Sequence, residues 1–329
     1  MTSNDLLVLL GVPQDYRLGG DAFQKLPQAH PRVRVEVVHD RAAFWSRLAD
    51  ADAAIASGGY LRVPAEVLSP GGKLRWIQIT SAGVDRVMTP ELMGAKHIII
   101  TSTKGPPGPL IAEHAVLLML ALVRNLPVYL KNQSLHQWRR EGQEWLPLHG
   151  NTVAILGVGN GGGNLARVCK NGFGMRVLGM SRTNRGNPHV DSYFDRAGLS
   201  AALGEADIVV LCLPNTLETA NIIDATALSA MKPTAFLINV SRGELIDEPS
   251  LIQALQTGSI AGAGLDMTAT VPLDEGSPLW DLSNVIITPH IATETIQMSE
   301  DVVAFWCENI RRFAEGEPLL GLVDRLAGY

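Results

Sequence analysis

Val153-Ala-Ile-Leu-Gly-Val-Gly-Asn-Gly-Gly-Gly-Asn-Leu-Ala-Arg167, followed by Met175-Arg-Val-Leu-Gly-Met-Ser-Arg-Thr183, reads as a strand, a glycine turn, a helix and a second strand in succession. Val153 to Leu156 form a short apolar run suited to a buried parallel strand, and Asn164 to Cys169 start the helix. Between them Gly157, Gly159 and Gly162 fall at G-x-G-x-x-G spacing, with Asn160 and Gly161 inside the same turn. Gly157 permits a tight turn, Gly159 lets the backbone approach a pyrophosphate, and Gly162 lets the helix lie close to the strand. A diphosphate would then rest on the unpaired N–H groups at the helix N-terminus. The stretch predicts a dinucleotide-binding unit.

The end of the second strand narrows the ligand. An NAD-binding unit places Asp or Glu there to accept hydrogen bonds from the adenine ribose. This chain has Ser181, followed by Arg182, Thr183 and Arg185. A carboxylate would repel a 2′-phosphate, whereas a hydroxyl flanked by guanidinium groups offers it hydrogen bonds and opposite charge. The expected cofactor is NADP(H), with NAD(H) the less favoured alternative.

At 329 residues the chain is long enough for two domains, and 46% hydrophobic with 18% charged residues fits a globular enzyme. A net charge of −6 without any long basic run argues against a nucleic-acid surface. Cys169, Cys212 and Cys307 stand far apart with no C-x-x-C pair, which reads as buried thiols in a reducing compartment with no metal site. The first residues lack a basic leader, and the longest apolar stretch, Ala115 to Val123, is too short to span a bilayer. The expectation is a cytoplasmic protein without a membrane segment.

Strand patterns at Leu6–Leu10, Val33–His39, Ala53–Ser57, Trp76–Thr80 and Ile98–Thr101 alternate with helical or loop segments such as Arg41–Leu48, predicting a first parallel sheet. Lys104-Gly-Pro-Pro-Gly-Pro109 interrupts the chain before a long apolar helix over Leu110–Asn125. After the glycine turn, strands at Ile208–Leu211, Ala235–Asn239, Ala261–Leu265 and Val285–Thr288 complete a doubly wound sheet, and Thr293–Glu315 reads as a final long helix. The predicted class is α/β: two Rossmann-like or flavodoxin-like domains with parallel sheets.

Several further stretches then carry a family likeness. Ser81-Ala-Gly-Val-Asp85, Ala112-Glu-His-Ala115, Leu213-Pro214, Asn239-Val-Ser-Arg-Gly243, Gly264-Leu-Asp266, Thr288-Pro-His-Ile-Ala292 and Val323-Asp-Arg-Leu-Ala-Gly-Tyr329 stand in order along nearly the whole chain. Together with the glycine turn they resemble the D-isomer-specific 2-hydroxyacid dehydrogenases. Ser181-Arg-Thr183 is similar to the NADP-dependent glyoxylate and hydroxypyruvate reductases within that group. The resemblance implies a discontinuous substrate domain, 1–106 plus 293–329, a cofactor domain, 107–292, and an active site in the cleft between them. It also implies a homodimer, to which the 110–125 helix and the Trp138 segment contribute. Leu213, Pro214, Thr219, Val240, Ser241, Asp266, His290 and Ala292 match positions at the cofactor in that family, Asp266 at its nicotinamide end.

Reducing a 2-oxo acid requires a cation for the carboxylate and ketone, a nicotinamide and a proton donor. Arg242 follows a strand at the edge where doubly wound sheets bind ligands, and its planar fork suits a carboxylate. His290 follows Val285–Thr288 and Pro289 at another such edge, and its imidazole titrates near neutral pH. The resemblance adds the backbone N–H groups of Ala82 and Gly83 as a second hold on the substrate carboxylate. Tyr60, Leu61, Trp138, Trp145 and Trp280 are candidates for a pocket wall, though single aromatics serve more often in packing.

One departure from the family pattern bears on the chemistry. Where relatives read Asp-Val-Phe-Glu-x-Glu-Pro-Leu, this chain has Asp266-Met-Thr-Ala-Thr-Val-Pro-Leu273, so Val271 stands where a carboxylate would orient the histidine and favour its protonated form. Asp274, Glu275 and Glu294 are the candidates to replace it. Three readings follow: a reductase in which His290 acts alone or with a substitute acid, a dehydrogenase retuned for another substrate or direction, and a non-catalytic NADP-binding sensor or interaction protein.

Overall fold

A computed structural model describes residues 5–16, 23–140, 146–182 and 186–325. The chain divides into two compact units, Met1–Pro107 with Glu294–Tyr329, and Gly108–Thr293.

In the first unit five short apolar segments form parallel strands: β1 (Leu6–Gly11), β2 (Val33–Val38), β3 (Ala53–Ala56), β4 (Trp76–Ile79) and β5 (Ile99–Ser102). They lie in the order β2-β1-β3-β4-β5. Alternate side chains on β1 serve opposite faces, as the two-residue period of a strand requires. Leu7 and Leu9 pack with Phe44 and Leu48 of helix α1 (Arg41–Leu48), and with Ile77, Ile79 and Ile100. Val8 and Leu10 face the other way. Helix α2 (Pro90–Gly94) starts on Thr89, whose hydroxyl accepts from the Leu92 amide.

The second face of this sheet is covered by the chain's last helix, α9 (Ile296–Glu315). Thr295 caps its start, accepting from Met298 N at 3.1 Å, and Gly316 at φ 75° ends it. Val302, Val303, Trp306 and Ile310 bury themselves against Val8, Leu10, Ile55 and Trp76. A polar seam runs through this core. Trp306 Nε1 donates to Thr103 Oγ1 at 2.9 Å, and Asn309 Nδ2 donates to Gln78 Oε1 at 2.9 Å. Asn309 Oδ1 also accepts from the Leu320 amide at 2.8 Å, fixing the chain that leaves the helix. On the solvent side Arg311 bridges Glu308, Glu315 and Glu317, and with Arg312 it holds the Glu308 carboxyl down at about 2.

The second unit has a seven-stranded parallel sheet: β6 (Thr152–Leu156), β7 (Arg176–Met180), β8 (Ser192–Phe194), β9 (Ile208–Leu211), β10 (Phe236–Asn239), β11 (Gly262–Leu265) and β12 (Val285–Ile287). The order β12-β11-β10-β9-β6-β7-β8 reverses between β6 and β9, as a doubly wound sheet does. Its helices are α3 (Pro107–Val123), α4 (Leu126–Ser134), α5 (Asn160–Phe173), α6 (Leu199–Glu205), α7 (Ala225–Ala230) and α8 (Glu248–Thr257). One core lies on each face, the first built on Leu156, Val209 and Leu237, the second on Ile155, Val210 and Ile238.

Four expectations are corrected. Helix α3 begins at Pro107 rather than Leu110, because proline is tolerated in a first turn, and it ends at Val123. Asn125, at φ 52°, then turns the chain into the separate helix α4. Helix α5 begins at Asn160 rather than Asn164, which places Gly161 and Gly162 inside it. Cys169 is buried as expected, but Cys212 and Cys307 are only half-buried. Burial nevertheless pushes both the Cys169 and Cys212 thiols up to about 12, so neither is a thiolate near neutral pH. The short strand β8 carries no strand pattern of its own and is paired in by β7.

Asn309→Ala should destabilise the protein by about 1–3 kcal/mol, because it leaves Gln78 Oε1 and the Leu320 amide without this partner in a buried core. Urea unfolding followed by tryptophan fluorescence checks this, and a loss below about 0.5 kcal/mol would show the seam to be dispensable.

Candidate functional site

The glycine turn meets its steric requirements one by one. Gly157 has φ 105°, and a Cβ there would stand 2.6 Å from the Cys212 carbonyl oxygen. A Cβ on Gly162 would lie 2.0 Å from the Gly157 carbonyl, so the start of α5 sits directly on the turn. Gly159, the N-cap residue, behaves differently, because a Cβ there meets nothing within 4 Å. The backbone at the helix N-terminus is therefore uncovered on the side where a phosphate would approach. Asn160 Oδ1 reaches over α3, where a Cβ on Gly108 would come within 1.7 Å of it.

Across the switch point, Leu213 and Pro214 follow β9, and their loop is tied to itself. Thr219 Oγ1 donates to the Pro214 carbonyl at 2.7 Å and accepts from the Thr216 amide at 2.8 Å. Ser241 Oγ donates to the Leu213 carbonyl, joining the loops after β9 and β10. Asn215 Oδ1 is buried in this loop with no hydrogen-bond partner. A buried acceptor left open is costly unless a ligand or water supplies a donor. With the bare Gly159 turn, it makes these residues a fit for a dinucleotide.

At the far end of the sheet Ser181 and Arg182 follow β7, and Ser181 borders a cavity of about 480 Å³ with Tyr193, Phe194, Asp195 and Gly198. Thr183 and Arg185 lie outside the described residues. Asp195 is a carboxylate that no spacing rule singles out. Its Oδ1 accepts from the Gly198 amide at 3.0 Å, so part of its acceptor capacity is already used.

The loops after β10, β11 and β12 form the other half of the edge. Asn239 Nδ2 donates to the Arg242 carbonyl at 2.8 Å, its Oδ1 accepts from the Ser241 amide at 3.1 Å, and Val240 lies buried between them. Arg242 Nη1 donates to the Ser241 carbonyl at 2.8 Å. A Cβ on Gly243 would fall 1.9 Å from the Thr268 carbonyl, so the loop carrying Arg242 presses on the loop after β11. That loop in turn holds the one carrying His290. Asp266, 3% exposed, accepts from Thr288 Oγ1 at 2.6 Å, from Ile291 N at 2.9 Å and from Ala292 N at 3.1 Å. His114 on α3 completes the set, with Nε2 2.9 Å from Thr288 Oγ1 and 3.3 Å from Asp266 Oδ1. His290 itself sits at φ 56°, a left-handed conformation that costs a non-glycine residue and persists where its surroundings fix it.

Burial works against the charge on Asp266, but the bonds from His114, Thr288 and the amides of Ile291 and Ala292 outweigh it and hold the carboxyl below its ordinary 3.8. Asp266 is thus employed in holding the His290 loop. His114 belongs to that clamp, and only the fold brings it there from 174 residues away. Val271 is 45% exposed and supplies no carboxylate. Of the proposed substitutes, Asp274 is engaged locally, its Oδ1 accepting from the Gly276 amide at 2.8 Å. Glu294 belongs to the first unit. Ala82 and Gly83 also stand in that unit, just after β4, in a turn where Ser81 Oγ donates to the Gly83 carbonyl at 2.7 Å.

Residues 116–292 match the model of the D-isomer specific 2-hydroxyacid dehydrogenase, NAD binding domain, family. A glyoxylate reductase from Pyrococcus furiosus is 34% identical over 271 residues, covering 80% of each chain. Among solved structures, a D-isomer specific 2-hydroxyacid dehydrogenase family protein from Aeromonas salmonicida is 33% identical with a TM-score of 0.80, covering 98% of this chain and 99% of that one. An NADPH-dependent glyoxylate/hydroxypyruvate reductase from Sinorhizobium meliloti, solved with NADP and sulfate, is 27% identical with a TM-score of 0.82, covering 98% and 100%.

Since the folded Asp266 carboxyl is depressed, the stability it contributes is complete above about pH 4 and is lost as pH falls through the folded value. Asp266→Asn should therefore cost about 1–3 kcal/mol at neutral pH and make the acid limb of the stability curve shallower. Urea unfolding across that range tests it, and an unaltered limb would show that other carboxyls carry the titration.

Proposed function

The chain belongs to the D-isomer-specific 2-hydroxyacid dehydrogenase family, and we propose that it interconverts a 2-oxo acid and a 2-hydroxy acid with NADP(H) in preference to NAD(H). The observation that carries this reading is the welding of the edge loops. The Arg242 loop packs on the loop after β11, and that loop clamps the His290 backbone, on the same sheet edge as the glycine turn. A nicotinamide cofactor bound there supplies or accepts the hydride.

The roles of this chain's residues follow from their chemistry. The Arg242 guanidinium pairs with the substrate carboxylate and polarises the ketone oxygen as negative charge develops on it. The Ala82 and Gly83 amides are the assigned hold on the carboxylate in the first unit. His290 donates the proton to the nascent alkoxide, and in the reverse direction its neutral ring takes that proton back. Ser181 and Arg182 support the NADP preference because no acid stands at the strand end to repel a 2′-phosphate. The relative from Sinorhizobium meliloti, solved with NADP, points the same way. A row of exposed leucines on α3 and α4, Leu117, Leu120, Leu126 and Leu130, leading to Trp138, supports reading this face as covered by a second copy in a homodimer.

Val271 favours one alternative, a cofactor-binding protein without turnover. Purified protein should oxidise NADPH with glyoxylate or hydroxypyruvate and use NADH less well, and Ser181→Asp with Arg182→Ala should shift the ratio toward NADH by about tenfold or more. Tight NADPH binding without turnover on a broad 2-oxo acid panel would establish the alternative. Val271→Glu should raise the apparent pKa of the reductive pH–rate profile, since a nearby carboxylate stabilises the imidazolium. An unmoved profile would mean that His290 already has an acid partner.

A further inference from the structure

The sheet of the first unit has its own switch point. In the order β2-β1-β3-β4-β5 the direction reverses between β1 and β3, and open parallel sheets bind ligands where that happens, beyond the carboxyl ends of the strands. There a cavity of about 680 Å³ lies between the three loops after β1, β2 and β3, bordered by Gln14, His39, Asp40, Arg41, Gly59 and Tyr60. Its size is that of a small-molecule site.

Arg41 brings the cavity a guanidinium, with Asp40 on the same border and Asp15 near enough to act on Tyr60. The Arg41 guanidinium lies over the Tyr60 ring, 6.0 Å from its centroid, and forms none of the ion pairs among the described residues. The neighbouring acid, Asp40, is turned into the helix, where its Oδ1 accepts from the Ala43 amide at 2.7 Å as the N-cap of α1. The His39 ring is tied back by Nδ1 to the Val12 carbonyl at 3.0 Å. Glycine at 59 is what leaves Arg41 its place, since a Cβ there would stand 2.8 Å from Nη1, whereas a Cβ on Gly58 meets nothing within 4 Å. The floor beside the guanidinium is thus bare backbone.

Register places this cavity next to the Ala82–Gly83 turn. The Ser57 amide bonds to the Gly11 carbonyl and the Thr80 amide to the Ala56 carbonyl, so the loops opening with Ser57 and Ser81 leave adjacent parallel strands at one level. Adjacent strands are about 4.8 Å apart, so the Ser57 and Ser81 loops start about 5 Å apart, and the Arg41 guanidinium, although rooted beyond β2, lies against Gly59 on the first of them. A molecule whose carboxylate rests on the Ala82 and Gly83 amides can lay a side chain of a few carbons across Gly58 and Gly59 and end at Arg41.

We propose that the substrate is a 2-oxo acid whose side chain ends in a second anionic group, bound by Arg41 in the cavity between the loops after β1, β2 and β3. This rests on the reading of Ala82 and Gly83 as the carboxylate hold. It assigns a specificity residue to a helix start that the family motifs leave out.

The test compares kcat/KM for pyruvate, 2-oxoglutarate, 2-oxoadipate and 3-phosphonopyruvate in the wild type, Arg41→Gln and Gly59→Ala. The first variant removes the cation, and the second keeps it but displaces it, so one misfolding variant leaves the other informative. The expected result is a preference for an anion-ended substrate over pyruvate that falls about tenfold or more in both variants, as loss of a charge-assisted bond predicts. The carboxylate and phosphonate arms show which anion the pocket takes. A wild type that prefers pyruvate, or a ratio unchanged by both substitutions, overturns the proposal. If nothing is turned over, the reductase reading fails. The pocket is then judged by calorimetric binding of glutarate against butyrate, and no Arg41-dependent advantage for glutarate overturns it as well.

Discussion

Four donors converge on the Asp266 carboxylate, and the arrangement of the sheet edge depends on it. Its two oxygens receive the Thr288 hydroxyl, the His114 ring and the amides of Ile291 and Ala292. A buried carboxylate is tolerable only when its acceptor sites are filled, and here three of the four donors come from the loop bearing His290, the fourth being His114 on α3. The energy that keeps the charge in the core is therefore the same energy that fixes the histidine's backbone. The left-handed φ of His290 is the local cost of that hold.

This arrangement gives a physical sense to the valine at 271. A carboxylate partner does two things for an imidazole: it orients the ring and it stabilises the charged form. Orientation of the segment is supplied from the backbone through Asp266, and that contribution survives the loss of the acid. Charge stabilisation is a property of the ring's immediate surroundings, and the clamp does not supply it.

Most of the fold was legible because its code is local. Each parallel strand is a short apolar run between turn residues, so β1, β3, β6, β9 and β11 stand within a residue or so of the sequence reading. The exceptions have specific causes. Strand β8 has no pattern and exists because β7 offers an edge, and the start of α5 was hidden because glycines at 161 to 163 look like loop, whereas in the fold a Cβ on Gly162 would strike the Gly157 carbonyl. Within the site, Gly157, Gly159, Gly162, Arg242 and His290 could be picked out from spacing and strand-end position. His114, Asn215 and Asn239 could not, since a histidine or asparagine acquires its meaning from partners that spacing does not reveal.

The sequence by itself determined two parallel α/β sheets, a dinucleotide turn and the absence of an acid at both Ser181 and Val271, because these are matters of period, spacing and residue identity. Only the tertiary structure decided that Asp266 is a clamp, that Asp40 caps a helix at the border of the cavity that Arg41 also lines, and that the Ser57 and Ser81 loops emerge side by side. Those facts depend on which donors reach which acceptors across strands and helices far apart in the chain, and hydrogen bonds and steric contact act over a few ångströms of space regardless of distance in sequence.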